Sequence, residues 1–213
     1  MGLLDEVRWF PGAQRLVSLA RAEMPQRRSG TAAFVTLVSL RAHGIELGGQ
    51  DDSGSAGTTP RSMAGAVEEL SGGLLTTAVA EGAWTAGALR AILAGVPELP
   101  DVTLVAFVDT THLGAQDTPE RALRDYLAGG MPPFWSSPWH ARHCVFLGGT
   151  IEGVGTLVAI VDTDRAVGQD GVHLQMLDRV AAALHGLVLV VPAADAAAAR
   201  ALAARAGFSP GAS

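Results

Sequence analysis

Two runs decide the fold: His143-Cys144-Val145-Phe146-Leu147-Gly148-Gly149-Thr150, and Thr156-Leu157-Val158-Ala159-Ile160-Val161-Asp162. They are apolar, of strand length, and joined by Ile151-Glu152-Gly153-Val154-Gly155. Two such runs around a short glycine-bearing link are a hairpin signal. Gly153 and Gly155 are the residues available for positive φ in that link. Beyond the hairpin the pattern predicts a helix over about 173–185, a strand at Leu187–Val191 and an alanine-rich helix over 193–206.

Upstream the chain reads differently. Residues 2–24 form an amphipathic helical pattern interrupted near Pro11-Gly12. Residues 29–43 place Phe34, Leu37, Val38 and Leu40 at helical spacing, with Gly44 as the stop, and this helix reads as buried. The stretch 45–59, rich in Gly, Ser, Asp and Thr, has no apolar period and reads as a mobile surface loop. Thr59-Pro60 opens a helix that ends near Gly72-Gly73, since a hydroxyl cap before proline suits a first turn. A strand at Leu74–Val79, a helix at Thr85–Leu93, a β-rich run at Val102–Val108 and a helix from Asp117-Thr118-Pro119 to Gly129-Gly130 follow. Helices come first and strands concentrate later, which indicates an α+β fold, and no repeat or linker divides residues 1–213, so one domain is expected.

Composition narrows the function. A net charge of −6 argues against a nucleic-acid partner, which needs a dense basic face. The single cysteine, Cys144, permits no internal disulfide and no multi-cysteine zinc site, the pattern of a reducing cytoplasm. The first residues lack the apolar core of a signal peptide, and no apolar run reaches the roughly 18–20 residues of a membrane span. Cytoplasmic localisation and no membrane partner are therefore expected. Neither a P-loop nor a G-x-G-x-x-G turn appears, and His140-x-x-His143 on a strand approach would splay its rings, so neither cofactor nor metal is expected. Oligomeric state leaves no mark on the sequence.

Two segments hold residues able to do chemistry. Pro25-Gln26-Arg27-Arg28-Ser29-Gly30-Thr31-Ala32-Ala33 opens the buried helix, and a nucleophile there would sit beside unpaired N–H groups and the positive end of the dipole. Those groups would stabilise an oxyanion and lower a thiol pKa. His143 on one strand and Asp162 at the end of the next can meet, the carboxylate orienting the imidazole.

The order [nucleophile]-Gly-x-Ala-Ala, then His-x-Val-x-Leu-Gly, then Val-Asp-Thr resembles papain-like cysteine peptidases, the bacterial leader-cleaving double-glycine peptidases above all. The stretches Ala66-Val67-Glu68-Glu69-Leu70-Ser71-Gly72-Gly73, Asp170-Gly171-Val172-His173-Leu174-Gln175 and Val191-Pro192-Ala193-Ala194-Asp195 also resemble an uncharacterised actinobacterial family of the same presumed fold. The resemblance implies a papain-like domain, N-terminal helices packed on a C-terminal antiparallel sheet. By the same resemblance, Ser29 stands at the nucleophile, His143 at the general base and Asp162 at the orienting group, the three meeting in one chain of contacts. It further implies a peptide or amide substrate, cleaved or transferred as in peptide natural-product maturation.

The chain departs from the pattern twice. Ser29 stands where the family has cysteine, and its hydroxyl is too weakly acidic for the surroundings that make a thiolate to ionise it. Three readings of Ser29 follow: natural loss of thiol chemistry, a deliberate Cys-to-Ser replacement, or serine working with His143 as a true base. The family's oxyanion glutamine lies six residues before the nucleophile, whereas Gln26 lies three before Ser29 and equally serves as a cap. An inactive papain-like fold that binds a peptide is the rival function, and an interaction module with a purely structural site is a third.

Read one at a time, the residues have plainer roles. Ser29 before glycine is a helix N-cap, His143 a hydrogen-bonded core histidine and Asp162 the opening of a turn. Cys144 alternates away from His143 and reads as a small buried hydrophobe, and His173 and Gln175 read as structural. Trp135 and Trp139, with Phe134 in a proline-stiffened loop, would line a peptide groove or plug the end of a barrel.

Overall fold

The computed structural model describes residues 2–23, 31–46, 59–162, 168–169 and 171–209. Its first half contains a 3-10 turn at Leu3–Glu6, strand β1 (Arg8–Trp9) and helices α1 (Ala13–Glu23), α2 (Thr31–Ala42) and α3 (Pro60–Leu70). Strand β2 (Leu75–Glu81), helix α4 (Ala86–Gly95), strand β3 (Thr103–Asp109) and helix α5 (Glu120–Leu127) follow. The chain ends with β4 (Arg142–Glu152), β5 (Thr156–Val161), β6 (Val172–Met176), α6 (Leu177–Ala183), β7 (Leu184–Pro192) and α7 (Ala196–Arg205). The fold is α+β: the seven strands form one sheet in the order β2-β7-β3-β4-β5-β6, with β1 beside β4, and every pairing is antiparallel.

Local chemistry explains the helix starts. Thr59 accepts the Ser62 N–H at 3.2 Å, with Pro60 as the first helical residue of α3. Thr85 accepts the Ala88 N–H at 3.1 Å and opens α4. In the buried helix α2, the Thr36 and Ser39 hydroxyls donate to the carbonyls of Ala32 and Val35, so these two hydroxyls are satisfied within the helix.

The alternation of β3, β4 and β5 divides their side chains between two cores. Phe107, Cys144, Phe146 and Val161 face α1, α2 and α3, where Val35, Val38 and Met63 close over them. Val108, Val145, Leu147 and Ile160 face α4, α6 and α7, meeting Ile92, Val180 and Leu202. Leu3 and Leu123 cover Leu157, Ala159 and Leu174 farther out. Each fully buried Phe, Leu or Val contributes about 1.5–3 kcal/mol, against 0–1 kcal/mol for an exposed ion pair such as Arg205–Glu98, so the sheet cores hold the molecule together.

The structure corrects several expectations. Residues 173–176 are strand: Val172, Leu174 and Met176 alternate with His173 and Gln175, a period of two, and only Leu177–Ala183 is helical. Arg8 and Trp9 pair with Thr150 and Gly149, so the expected N-terminal helix contains a short strand before α1. The hairpin glycines are not at positive φ. They are needed for close approach: a Cβ on Gly153 would stand 2.5 Å from the Leu127 carbonyl oxygen, and one on Gly155 2.5 Å from the Tyr126 ring. Most of the expected loop 45–59 lies outside the described residues.

His43 fixes the direction of α2. Its Nδ1 is 3.0 Å from Asp101 Oδ2 and its Nε2 3.3 Å from Thr103 Oγ1, which ties the C-terminal end of α2 to the start of β3. Burial lowers the His43 pKa and the Asp101 carboxylate opposes that shift. Because α2 packs along β3 and β4, its first turn lies toward the opposite end of the sheet, where β3 finishes and β4 begins.

Candidate functional site

His143 is the second residue of β4, and Asp162 directly follows β5. The backbone anchors both: His143 pairs with Val108 of β3, and the Asp162 N–H donates to the Gly171 carbonyl at 2.7 Å. Their side chains join, with Nε2 of His143 2.9 Å from Oδ1 of Asp162. The carboxylate side chain is only 4% exposed and the imidazole 15%, so the pair is screened from water while one side of the ring keeps access to it. An ionised carboxylate can only accept. An ionised Asp162 would accept from Nε2–H, and in a neutral ring that tautomer puts the lone pair on Nδ1.

One aromatic ring and one further histidine flank the pair. Trp139 stands edge-on to His143, with ring centroids 6.4 Å apart and planes at 85°. Trp135 is half exposed and Phe134 more so, and both lie on the surface of the preceding loop. His173 on β6 sits opposite Ile160 and is 3% exposed, with neither ring nitrogen hydrogen-bonded among the described residues. Burial pulls its pKa down to about 4, the nearby Asp162 charge opposing and His143 adding to the shift, so at neutral pH His173 is uncharged. Sequence reading set His173 aside as structural; its place in a period-two run beside Asp162 was the signal that could have found it. Gln175 is structural, accepting the Gly114 N–H at 2.8 Å and donating to the Gly114 carbonyl at 3.0 Å.

Cys144 is buried on the opposite face of β4, and burial pushes its thiol up to about 12, which removes it as a nucleophile. Ser29 and Gln26 lie outside the described residues. The first turn of α2 and the His143–Asp162 pair share one end of the sheet, but cross-strand pairing sets them on different faces. Val108, opposite His143, belongs to the core beneath α4 and α6, whereas α2 packs on the side of Phe107 and Cys144. Among the described residues, no cluster of three or more His, Cys, Asp or Glu could hold a metal ion, and no helix is long and apolar enough to cross a membrane.

Residues 45–212 match a family described as a family of unknown function, DUF6885. The chain belongs to this family. The match includes His143, Asp162 and His173 and begins after Ser29, so the part shared with the family holds the carboxylate–imidazole pair without the nucleophile position. No curated protein and no solved structure matches the chain.

Proposed function

We propose that the chain is a papain-like hydrolase or acyl-transfer domain acting on a peptide or amide, with residue 29 as nucleophile and the His143–Asp162 pair as its base. The observation that carries this reading is the 2.9 Å contact of a nearly buried carboxylate with a partly accessible imidazole on adjacent antiparallel strands. Support comes from α2, whose first turn lies toward the same end of the sheet. In this scheme Nδ1 of His143 takes the proton of residue 29 as its oxygen or sulfur bonds to the carbonyl carbon. The tetrahedral oxyanion is met by N–H groups at the start of α2. Collapse breaks the C–N bond, the amine leaves with the proton from His143, and water or a second amine then releases the acyl group.

The rival reading, a catalytically silent member that binds a peptide, is favoured by one observation. The family match covers residues 45–212, a range that contains the pair and begins after residue 29. The two are separated by incubating the native chain and Ser29→Cys with p-nitrophenyl acetate and weighing the intact protein. An acetyl group on residue 29 that depends on His143 supports the enzyme; no adduct in either chain supports the binding fold.

A further inference from the structure

Strand β6 is the last strand in the sheet order and, among the described strands, pairs with β5 alone. In an antiparallel strand, alternate residues turn their backbone N–H and C=O to opposite edges. Val172 spends its outward groups on Gln169, donating at 3.1 Å and accepting at 2.8 Å. The next outward residue is Leu174, and among the described residues its N–H and C=O have no partner on that edge. A bare strand edge is a template for another strand. Here it borders a cavity of about 490 Å³, a volume suited to a ligand or a few residues of peptide.

The cavity has two kinds of wall. Leu3, Leu123 and Leu174 form an apolar side, and Trp139, which also flanks His143, stands at the other. His173, with both nitrogens unpartnered, belongs to the same lining. Two carboxylates, Asp117 and Glu120, line the cavity, and no cationic side chain does among the described residues. Arg124 shares the charge of Glu120 at 2.7 Å, which leaves Asp117 to repel an acidic occupant.

We propose that an extended peptide with an apolar side chain and no acidic residue docks in this cavity as an added strand, pairing its backbone with Leu174 of β6. Main-chain hydrogen bonds then give affinity, and the Leu3–Leu123 side receives the side chain. The proposal rests on the peptide reading above only for the class of ligand; it does not require residue 29 to react, so its failure and that of the catalytic scheme are separable.

The test is calorimetric titration of the native chain with acetyl-Val-Leu-Val amide, alongside hydrogen exchange at the Leu174 amide. Saturable binding that slows Leu174 exchange is expected, weakened about tenfold by N-methylating the central leucine, one net hydrogen bond's worth. Acetyl-Glu-Leu-Glu amide should bind more weakly, and Leu123→Ala should weaken the apolar peptide. Equal binding of the N-methylated peptide would overturn strand addition and leave a plain apolar cavity. Absence of binding, or a Leu174 amide already protected without peptide, through a second copy or the chain's own residues, would overturn it as well.

Discussion

Nε2 of His143 stands 2.9 Å from Oδ1 of Asp162, and the two residues hang from neighbouring strands whose backbones are locked in register. The pair therefore needs no ligand to form. Asp162 is 3% exposed, so truncating its partner leaves a buried carboxylate short of a donor. His143→Ala should cost about 1–3 kcal/mol in urea unfolding, and Asp162→Asn less, because the amide still offers an oxygen. A loss under about 0.5 kcal/mol for His143→Ala would mean the pair adds nothing to the fold.

His173 makes stability depend on pH. Its folded pKa of about 4 lies below the ordinary 6.5, so the unfolded chain binds the extra proton first. The resulting stability is complete above about pH 6.5 and is lost as pH falls toward 4. His43 and His185, both lowered first by burial, act in the same direction. Urea midpoints should drop between pH 7 and pH 5, and His173→Leu should flatten the drop while costing little at pH 7, since it removes two unpartnered buried nitrogens. An unchanged slope in that variant would show that His173 takes up its proton without unfolding the chain.

The β4–β5 turn is held by contact with α5. Gly155→Ala should destabilise by about 1–3 kcal/mol, as overpacking does, because the new methyl meets the Tyr126 ring. Tyr126→Ala in the same chain should relieve much of that loss, a coupling a double-mutant cycle reads directly. Additive losses would contradict the contact.

Much of this architecture was readable from local signals. The apolar, strand-length runs at 143–150 and 156–162 with their glycine-bearing link, the Thr59-Pro60 cap and the Thr85 cap each act within a few residues, and each element is where those signals put it. Strand β6 was misread because helix-forming residues follow it without a break at Leu177, and the alternation is only five residues long. Strand β1 escaped because two residues have no period; Arg8 and Trp9 are extended only because Gly149 lets them approach β4, where a Cβ would lie 2.5 Å from the Arg8 carbonyl oxygen. His143 and Asp162 were legible as neighbours across a hairpin. Their face relative to α2 was not, because it depends on the register of β3 against β4, which joins residues more than thirty positions apart.

The central claim is that residue 29 and His143 form one reactive unit, and thiol alkylation tests it most directly. Cys144, buried with its thiol near 12, is a silent background: the native chain should take up no iodoacetamide at pH 7 until it unfolds. In Ser29→Cys the account predicts alkylation at residue 29, located by mass spectrometry, about tenfold faster than free cysteine at pH 7. The rate should titrate below the ordinary thiol value of about 8.5. It should fall when His143 is replaced by Ala and fall less with Asp162→Asn, which disturbs the ring's orientation and keeps the ring. A thiol at that position no more reactive than free cysteine, or indifferent to the loss of His143, would contradict the account and leave the pair as part of a binding fold.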